Sequence, residues 1–249
     1  MTESAAKDKN QNGGFAMTNT GAGIPHKHTA DVGKRIIGFS SRAEEIANTA
    51  THGAAASLGC IGLFFLISKA HYHGALAVAG AIFFGASLIL LYLASTLYHA
   101  TCISRPEGDR LRSVMQKCDH VMIFLLILGT YVPACWTALG GWCGWTVFSV
   151  VGTCSLLGMA LSWISVERFE KICLILNLIS GWTIVIASIP YYNAIGPIGF
   201  NFLVAGGLFY TFGIIFYKME KVPFMHVVWH LFVILGSVMH FVMIYNFVY

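Results

Sequence analysis

The chain has 249 residues, of which 57% are hydrophobic and only 10% are charged, whereas an average soluble domain carries about 25% charged residues. With a mean hydropathy of +0.71, this composition excludes a water-soluble fold and indicates an integral membrane protein. The net charge of +4 comes from scattered residues that form neither a basic stripe nor a base-stacking module, so we expect no nucleic-acid partner.

The first 40 residues differ in composition from the rest of the chain. Residues 1–40 are rich in threonine, asparagine, glycine, alanine and lysine and show no apolar periodicity. This composition predicts a disordered tail on the cytoplasmic side. A secretory signal peptide is not predicted, because the tail lacks the apolar run that such a peptide needs. Residues 41–249 are the predicted membrane domain. The capping box Ser41-Arg-Ala-Glu44 predicts that its first helix begins near Arg42.

Charged residues divide the membrane domain into long uncharged runs, and a spanning helix needs about 20 apolar residues. Two of these runs, 121–166 and 172–217, have room for two helices each. Turn signals lie near their middles, at Gly140-Gly141 in the first and at Pro190 with Gly196-Pro197 in the second. The sequence therefore predicts an all-α integral membrane protein, a bundle of seven transmembrane helices near residues 42–68, 75–99, 119–138, 143–164, 171–189, 198–217 and 226–247.

The positive residues predict the orientation of this bundle. Fourteen of the 15 lysines and arginines fall in the N-terminal segment and in the loops after the second, fourth and sixth helices. Only Lys69 falls on the opposite side. Because positive residues favour the cytoplasmic side, we expect a cytoplasmic N-terminus and an external C-terminus.

Polar residues gather at the predicted cytoplasmic ends of four helices. They are His52, Ser95, His99, Asp119, His120, His226 and His230. Ionisable groups inside a membrane are energetically costly, so a cluster at one depth indicates a functional site.

The histidines of this cluster have the spacing of metal ligands. His226-Val-Val-Trp-His230 puts two imidazoles one turn apart on one helix face. Ser95-Thr-Leu-Tyr-His99 places a hydroxyl and an imidazole in the same relation. Three histidines with one open position are typical of a catalytic zinc site. Asp119 would hold and deprotonate a zinc-bound water or be a ligand itself; the alternative is a set of histidines that cap helices or pair at the interface.

Two further sets of polar residues, one on the first helix and one on the last, indicate a function less clearly. Glu45, Asn48 and His52 share one stripe of the first helix, which predicts either a second layer that orients metal ligands or a polar helix end in water. His240 lies ten residues beyond His230, about 15 Å along the helix. Its position favours a hydrogen-bonded histidine in the bundle interior over a second metal ligand.

Four motifs together resemble a known family. They are Glu45-Ile-Ala-Asn48-Thr-Ala-Thr51-His52, Ser95-Thr-Leu-Tyr-His99, Asp119-His120 with Gly129-Thr130-Tyr131-Val-Pro133, and His226-Val-Val-Trp-His230-Leu-Phe. They resemble the bacterial hemolysin III branch of the progestin and adipoQ receptor family, over about residues 40–249.

This resemblance implies a seven-helix fold with its N-terminus inside and a zinc ion near the cytoplasmic face. It implies His99, His226 and His230 as zinc ligands. It also implies that Asp119 holds the water and that Ser95 supports the site. The wider superfamily includes alkaline ceramidases.

The leading functional hypothesis is a zinc-dependent, ceramidase-like hydrolase of lipid amides or esters, acting in membrane lipid homeostasis, in the inner membrane of a bacterial cell. Its partner would be a membrane lipid entering from the inner leaflet, with Asp119 as general base and Ser95 hydrogen-bonding the developing oxyanion. One alternative is a non-catalytic membrane sensor or receptor with a structural zinc. The other is a cytolytic pore or channel; the lack of a polar stripe along any helix weighs against a wide pore.

The charge asymmetry gives a first test. We expect a reporter enzyme that works only outside the cytoplasm to be active when fused after Tyr249, because seven spans carry the C-terminus to the side with one positive residue. Activity is measured in intact cells against a cytoplasm-specific reporter at the same position. A C-terminus found in the cytoplasm would contradict the number of spans.

Overall fold

A computed structural model describes residues 41–249, and the predicted tail lies outside the described residues. Within them, all regular structure is helical and no strand is present. The seven helices are α1 Arg42–Ala70, α2 Ala75–Ser104, α3 Arg110–Pro133, α4 Gly141–Ile164, α5 Val166–Trp182, α6 Ser188–Tyr217 and α7 Met225–Met243. Short 3-10 or π-helical segments follow four of them, at His71–His73, Ala134–Leu139, Thr183–Ala187 and Ile244–Val248.

Six helical stretches in the described part of the chain are long and apolar enough to cross a membrane, and one of them contains two spans. The stretch Val166–Tyr217 has 52 residues, or about 78 Å as one straight helix, against ~30 Å for the hydrocarbon core. Gly196 interrupts it with a φ of 70°, which glycine adopts without strain. Lys218 Nζ, after this break, lies 2.5 Å from Glu170 Oε1, before it. The chain therefore reverses direction, which gives seven spans.

The structure corrects two details of the predicted helices. Of the two turn signals predicted in the run 172–217, at Pro190 and at Gly196-Pro197, only the second is used, and it lies inside α6 as bounded above. Pro190 lies in the first turn of the segment that begins at Ser188, where its missing N–H removes no helical hydrogen bond. The start of α3 is Arg110 rather than residue 119, because the Asp109 side chain accepts hydrogen bonds from the backbone N–H groups of Leu111 and Arg112. These bonds, the one from Arg112 foremost, lower the pKa of the Asp109 carboxyl.

Where α5 changes into its 3-10 segment, some backbone N–H and C=O groups lose their helical partners and need other hydrogen bonds inside the bundle. Tyr131 of α3 supplies them. Its hydroxyl donates to the carbonyl of Gly181 at 3.0 Å and accepts from the backbone N–H of Ile184 at 3.0 Å. One side chain thus stabilises an irregular backbone within the membrane-spanning part.

Side-chain contacts show which helix ends lie together. Lys117 Nζ, near the start of α3, donates to the carbonyl of Ile164 at the end of α4. The Glu170–Lys218 ion pair joins the start of α5 to the end of α6. We name this end, which carries the positive loops, the basic end. At the far end, the Lys69 ammonium lies 4.3 Å from the centre of the Tyr245 ring.

Small residues let the helices approach closely, as is usual in membrane bundles. Gly158 of α4 faces the ring of Phe124, which is buried in α3, and a Cβ added at Gly158 would overlap that ring. Gly152, two turns earlier on the same helix, has no atom within 4 Å of such a Cβ.

These two glycines form a matched pair for a stability test. We expect Gly158→Ala to lower the free energy of unfolding by about 1–3 kcal/mol because it overpacks the α3–α4 contact. Gly152→Ala should leave it unchanged or raise it by up to about 1 kcal/mol, since alanine favours the helix. Thermal unfolding in detergent measures both, and equal midpoints would contradict the packing described here.

Candidate metal centre

Three histidines from two helices converge at the basic end of the bundle. His99 lies at the end of α2, and His226 and His230 lie in the first two turns of α7. One ligand nitrogen from each lies within 4.8 Å of the other two. His99 and His230 are buried, and His226 is half-buried. Among the described residues, this is the group of histidine, cysteine or acidic side chains that can hold a metal ion.

Glu45 fixes the orientation of the first imidazole. Its Oε2 lies 2.6 Å from His99 Nδ1, and the Glu45 side chain is only 13% exposed. The other ring nitrogen, His99 Nε2, is buried without a hydrogen-bond partner. A carboxylate that holds one nitrogen of a metal-binding histidine fixes its tautomer and leaves the second nitrogen for the metal.

Thr51 and Asn48 serve His230 in a similar way. The Thr51 hydroxyl donates to the backbone carbonyls of Ala47 and Asn48, so its oxygen is left to accept a hydrogen bond. His230 Nδ1 lies 3.3 Å from that oxygen, and the ring also interacts with the backbone of Asn48. We therefore assign the proton to Nδ1, which leaves Nε2 for a metal ion.

His226 is placed by the unusual start of α7. Phe224, just before the helix, has a φ of 64°, which a residue with a bulky side chain rarely adopts. The buried Glu44 carboxylate interacts with the backbone of Phe224 and with that of Ser41. Glu44 therefore completes the predicted capping box and also ties the start of α1 to the start of α7. The His226 and His230 ring centres lie 4.8 Å apart.

Asp119 and Ser95 lie beside the three imidazoles rather than among them. Both line an internal cavity that is also lined by His226 and His230. The Ser95 side chain interacts with the Asp119 carboxylate, which also experiences the field of His99 and His120. Asp119 is not part of the group within ligand distance, so this arrangement does not favour its alternative role as a direct ligand.

His52 packs against the metal-binding group. Its ring is stacked on that of His230, with centres 3.6 Å apart and planes at 12°, and it lies 5.0 Å from the Tyr92 ring. Both of its ring nitrogens are buried without a hydrogen-bond partner. His120 is not in the group, and its Nδ1 lies 3.0 Å from the Gln116 carbonyl oxygen.

Two contacts that position this centre, Thr51 with His230 and Glu44 with Phe224, were not predicted from the sequence. Thr51 shares the α1 surface with Asn48 and His52, and this shared face was the available signal. Nothing in the sequence near residue 224 indicated the contact between Glu44 and Phe224.

Comparison with known proteins identifies the family. The profile of the family described as "Haemolysin-III related" matches residues 40–241. The chain belongs to the haemolysin III-related family.

Individual relatives of this haemolysin III-related protein agree with that assignment. "Hemolysin-3" of Bacillus cereus is 42% identical over 199 residues, which cover 80% of this chain and 89% of the relative. The "Hemolysin-3 homolog" of Bacillus subtilis (strain 168) is 37% identical over 195 residues, covering 78% and 89%. "Monocyte to macrophage differentiation factor" of Homo sapiens is 24% identical over 173 residues, covering 67% and 69%. The resemblance predicted from the four motifs is confirmed.

The contact between Glu45 and His99 gives a test of the metal centre with Zn²⁺ as the probe. We expect Glu45→Gln to weaken Zn²⁺ binding by about 10–100-fold, because the neutral amide neither fixes the tautomer nor raises the basicity of His99. Titration with a competing chelator measures this affinity. Glu167→Gln, at the exposed start of α5, is the matched control and should bind Zn²⁺ like the unmodified protein. Equal affinity in both variants would remove Glu45 from the site.

Proposed function

We propose that this protein is a zinc-dependent hydrolase that cleaves an amide or ester bond of a membrane lipid. The observation that carries the proposal is the convergence of His99, His226 and His230, two of which, His226 and His230, line the same internal cavity as Asp119. Metal ligands, a carboxylate and a chamber for an apolar chain are the parts that such a reaction needs.

The donor set supports zinc as the ion. Three imidazoles with one position left open are typical of catalytic zinc, whereas magnesium and calcium prefer oxygen ligands. The unpaired buried Nε2 of His99 also favours an ion, because a buried polar atom without a partner destabilises the fold.

The cavity suits an acyl chain. It extends from the histidines between α2, α3, α5, α6 and α7. Most of its lining is apolar, including Leu126, Ile127, Leu203 and Val233. At the far end it meets Tyr191 and Met243, which are almost completely buried. This closed end supports a binding chamber over the pore that the relatives' name suggests.

A gap between α5 and α6 offers a route for the lipid. The backbones of these two helices stay farther apart than those of the other sequential helix pairs in the described bundle. Trp182 Nε1 donates to Thr211 Oγ1 at 3.1 Å, and the Glu170–Lys218 ion pair closes the basic end. Between these two contacts, Leu178 is 37% exposed and also lines the cavity. With the basic end in the cytoplasm, this gap faces the inner leaflet.

Zinc at the three histidines would polarise the lipid carbonyl and make water a nucleophile near neutral pH. Asp119 is the carboxylate beside them, so we assign it the role of the base that accepts the proton of the attacking water. The contact of Ser95 with Asp119 favours a role for Ser95 in orienting that carboxylate over the oxyanion role. The cavity wall holds the acyl chain and excludes bulk water from the reacting bond.

The distribution of positive residues and the source of the relatives suggest in which membrane the protein lies. The distribution of positive residues favours a cytoplasmic position for the basic end, and two of the relatives come from bacteria. We place the protein in the inner membrane of a bacterial cell, where it would adjust membrane lipid composition.

Asp119→Asn separates the chemistry from metal binding. We expect this variant to retain its zinc but to hydrolyse lipid about 100–10,000-fold more slowly, because the amide cannot accept a proton. Hydrolysis of a ceramide and of a phospholipid ester in liposomes, with zinc content from elemental analysis, measures both effects. Thr130→Val is the control, since the Thr130 hydroxyl lines the cavity but donates to the carbonyl of Leu126 in its own helix.

Two results would contradict the proposal in different ways. Equal hydrolysis by Asp119→Asn and the unmodified protein would remove Asp119 as the base. Zinc-loaded unmodified protein that hydrolyses neither lipid would favour the non-catalytic sensor.

A further inference from the structure

We propose that the cavity contains a second polar binding site, formed by His240 with Tyr210 and Ser237, which takes an oxygen atom carried far along the acyl chain of the ligand. The inference rests on the proposed function, because the other end of the same ligand would lie at the metal centre. The ligand class is therefore an oxygenated acyl chain, such as a hydroxy fatty acyl group.

His240 lies on the cavity side of α7, beyond the metal-binding histidines. It lines the cavity and is only 6% exposed. Ten residues separate it from His230, which corresponds to about 15 Å along the helix. His240 therefore lies in the bundle interior, as the sequence predicted. The hydrogen bonding is incomplete, since the ring interacts with the backbone of Gly236 but Nδ1 is buried without a hydrogen-bond partner.

The surrounding residues hold this imidazole in one place. A Cβ added at Gly206 of α6 would lie 2.6 Å from Cε1 of the ring, so only glycine leaves room for it. One turn later, Tyr210 stacks on the imidazole, with ring centres 5.4 Å apart and planes at 17°. The ring is thus preorganised, which lowers the entropy that a ligand contact would lose.

Two hydroxyls extend the polar site. Tyr210 Oη lies 2.9 Å from Ser237 Oγ, and the buried Tyr92 of α2 also interacts with Ser237. Ser237 lies three residues before His240, on the same face of α7. The lining around this cluster is apolar, with Leu203 and Met243 nearby along the helices. Polar groups at such depth are unfavourable unless they meet a polar partner.

A hydroxyl group on the ligand matches this site chemically. A neutral imidazole presents one donor and one acceptor nitrogen, and a hydroxyl can serve either of them. The distance between the two sites determines where on the ligand the hydroxyl must lie. His230 and His240 are about 15 Å apart along α7. An extended acyl chain covers this distance with roughly a dozen carbon–carbon bonds, because each bond of about 1.5 Å advances the zigzag chain by somewhat less than its own length.

The probes are ω-hydroxydodecanoic acid and dodecanoic acid, which differ only by the terminal hydroxyl. We expect the zinc-loaded protein to bind the hydroxy acid about 5–10-fold more tightly, as one added hydrogen bond in a preorganised site provides. His240→Leu should bind both acids equally, with unchanged zinc content, and His240→Gln should retain the preference because its amide still donates and accepts. Thr153→Val, on the exposed surface of α4 and outside the cavity lining, is the control and should retain the preference as well. Calorimetry in detergent measures the affinities.

The outcomes separate this inference from the proposed function. Equal affinities in the unmodified protein, or a preference that persists in His240→Leu, would overturn the second polar site and leave the metal centre standing. Binding of neither acid to zinc-loaded protein would overturn both the second site and the cavity as a lipid chamber. Absence of zinc from the purified protein would contradict the metal centre itself.

Discussion

Three imidazoles inside a membrane bundle can share one metal ion only if each ring is neutral and correctly rotated, and this constraint explains much of the structure at the basic end. Two of the three rings have one nitrogen engaged by α1, at Glu45 for His99 and at Thr51 for His230. One ligand nitrogen of each ring lies within 4.8 Å of the other two, and His99 Nε2 has no hydrogen-bond partner among the described residues. A metal ion bound by the three histidines would relieve the cost of that unpaired nitrogen. The first helix, which supplies none of the three histidines, therefore orients the His99 ring of α2 and the His230 ring of α7.

The same end of the bundle is tied together at its backbone. Glu44 joins the start of α1 to the start of α7 through Phe224, and this contact holds the strained residue that precedes His226. Strained backbone near functional sites persists when surrounding contacts over-determine it. The two adjacent glutamates thus have separate tasks: Glu44 places the helix that carries two ligands, and Glu45 orients the third.

Much of this could be predicted from the sequence, for reasons that particular residues show. The spacing of His226 and His230 fixes their common face on any helix, and the positive residues fix which helix ends lie together, so His99 and Asp119 could be placed near them. Contacts that depend on how one helix end meets another, such as Glu44 with Phe224, have no sequence signal of that kind. The extension of α3 back to Arg110 was also missed, because a charged helix turn outside the membrane looks like a loop when only apolar runs are counted.

The central claim is that His99, His226 and His230 bind one zinc ion, and elemental analysis of protein purified without chelators tests it most directly. The account predicts one zinc per chain in the unmodified protein, and its loss in each of His99→Ala, His226→Ala and His230→Ala. His71→Ala, in the exposed far-end segment, should keep the metal. An unmodified protein without zinc, or alanine variants that all retain it, would contradict the account.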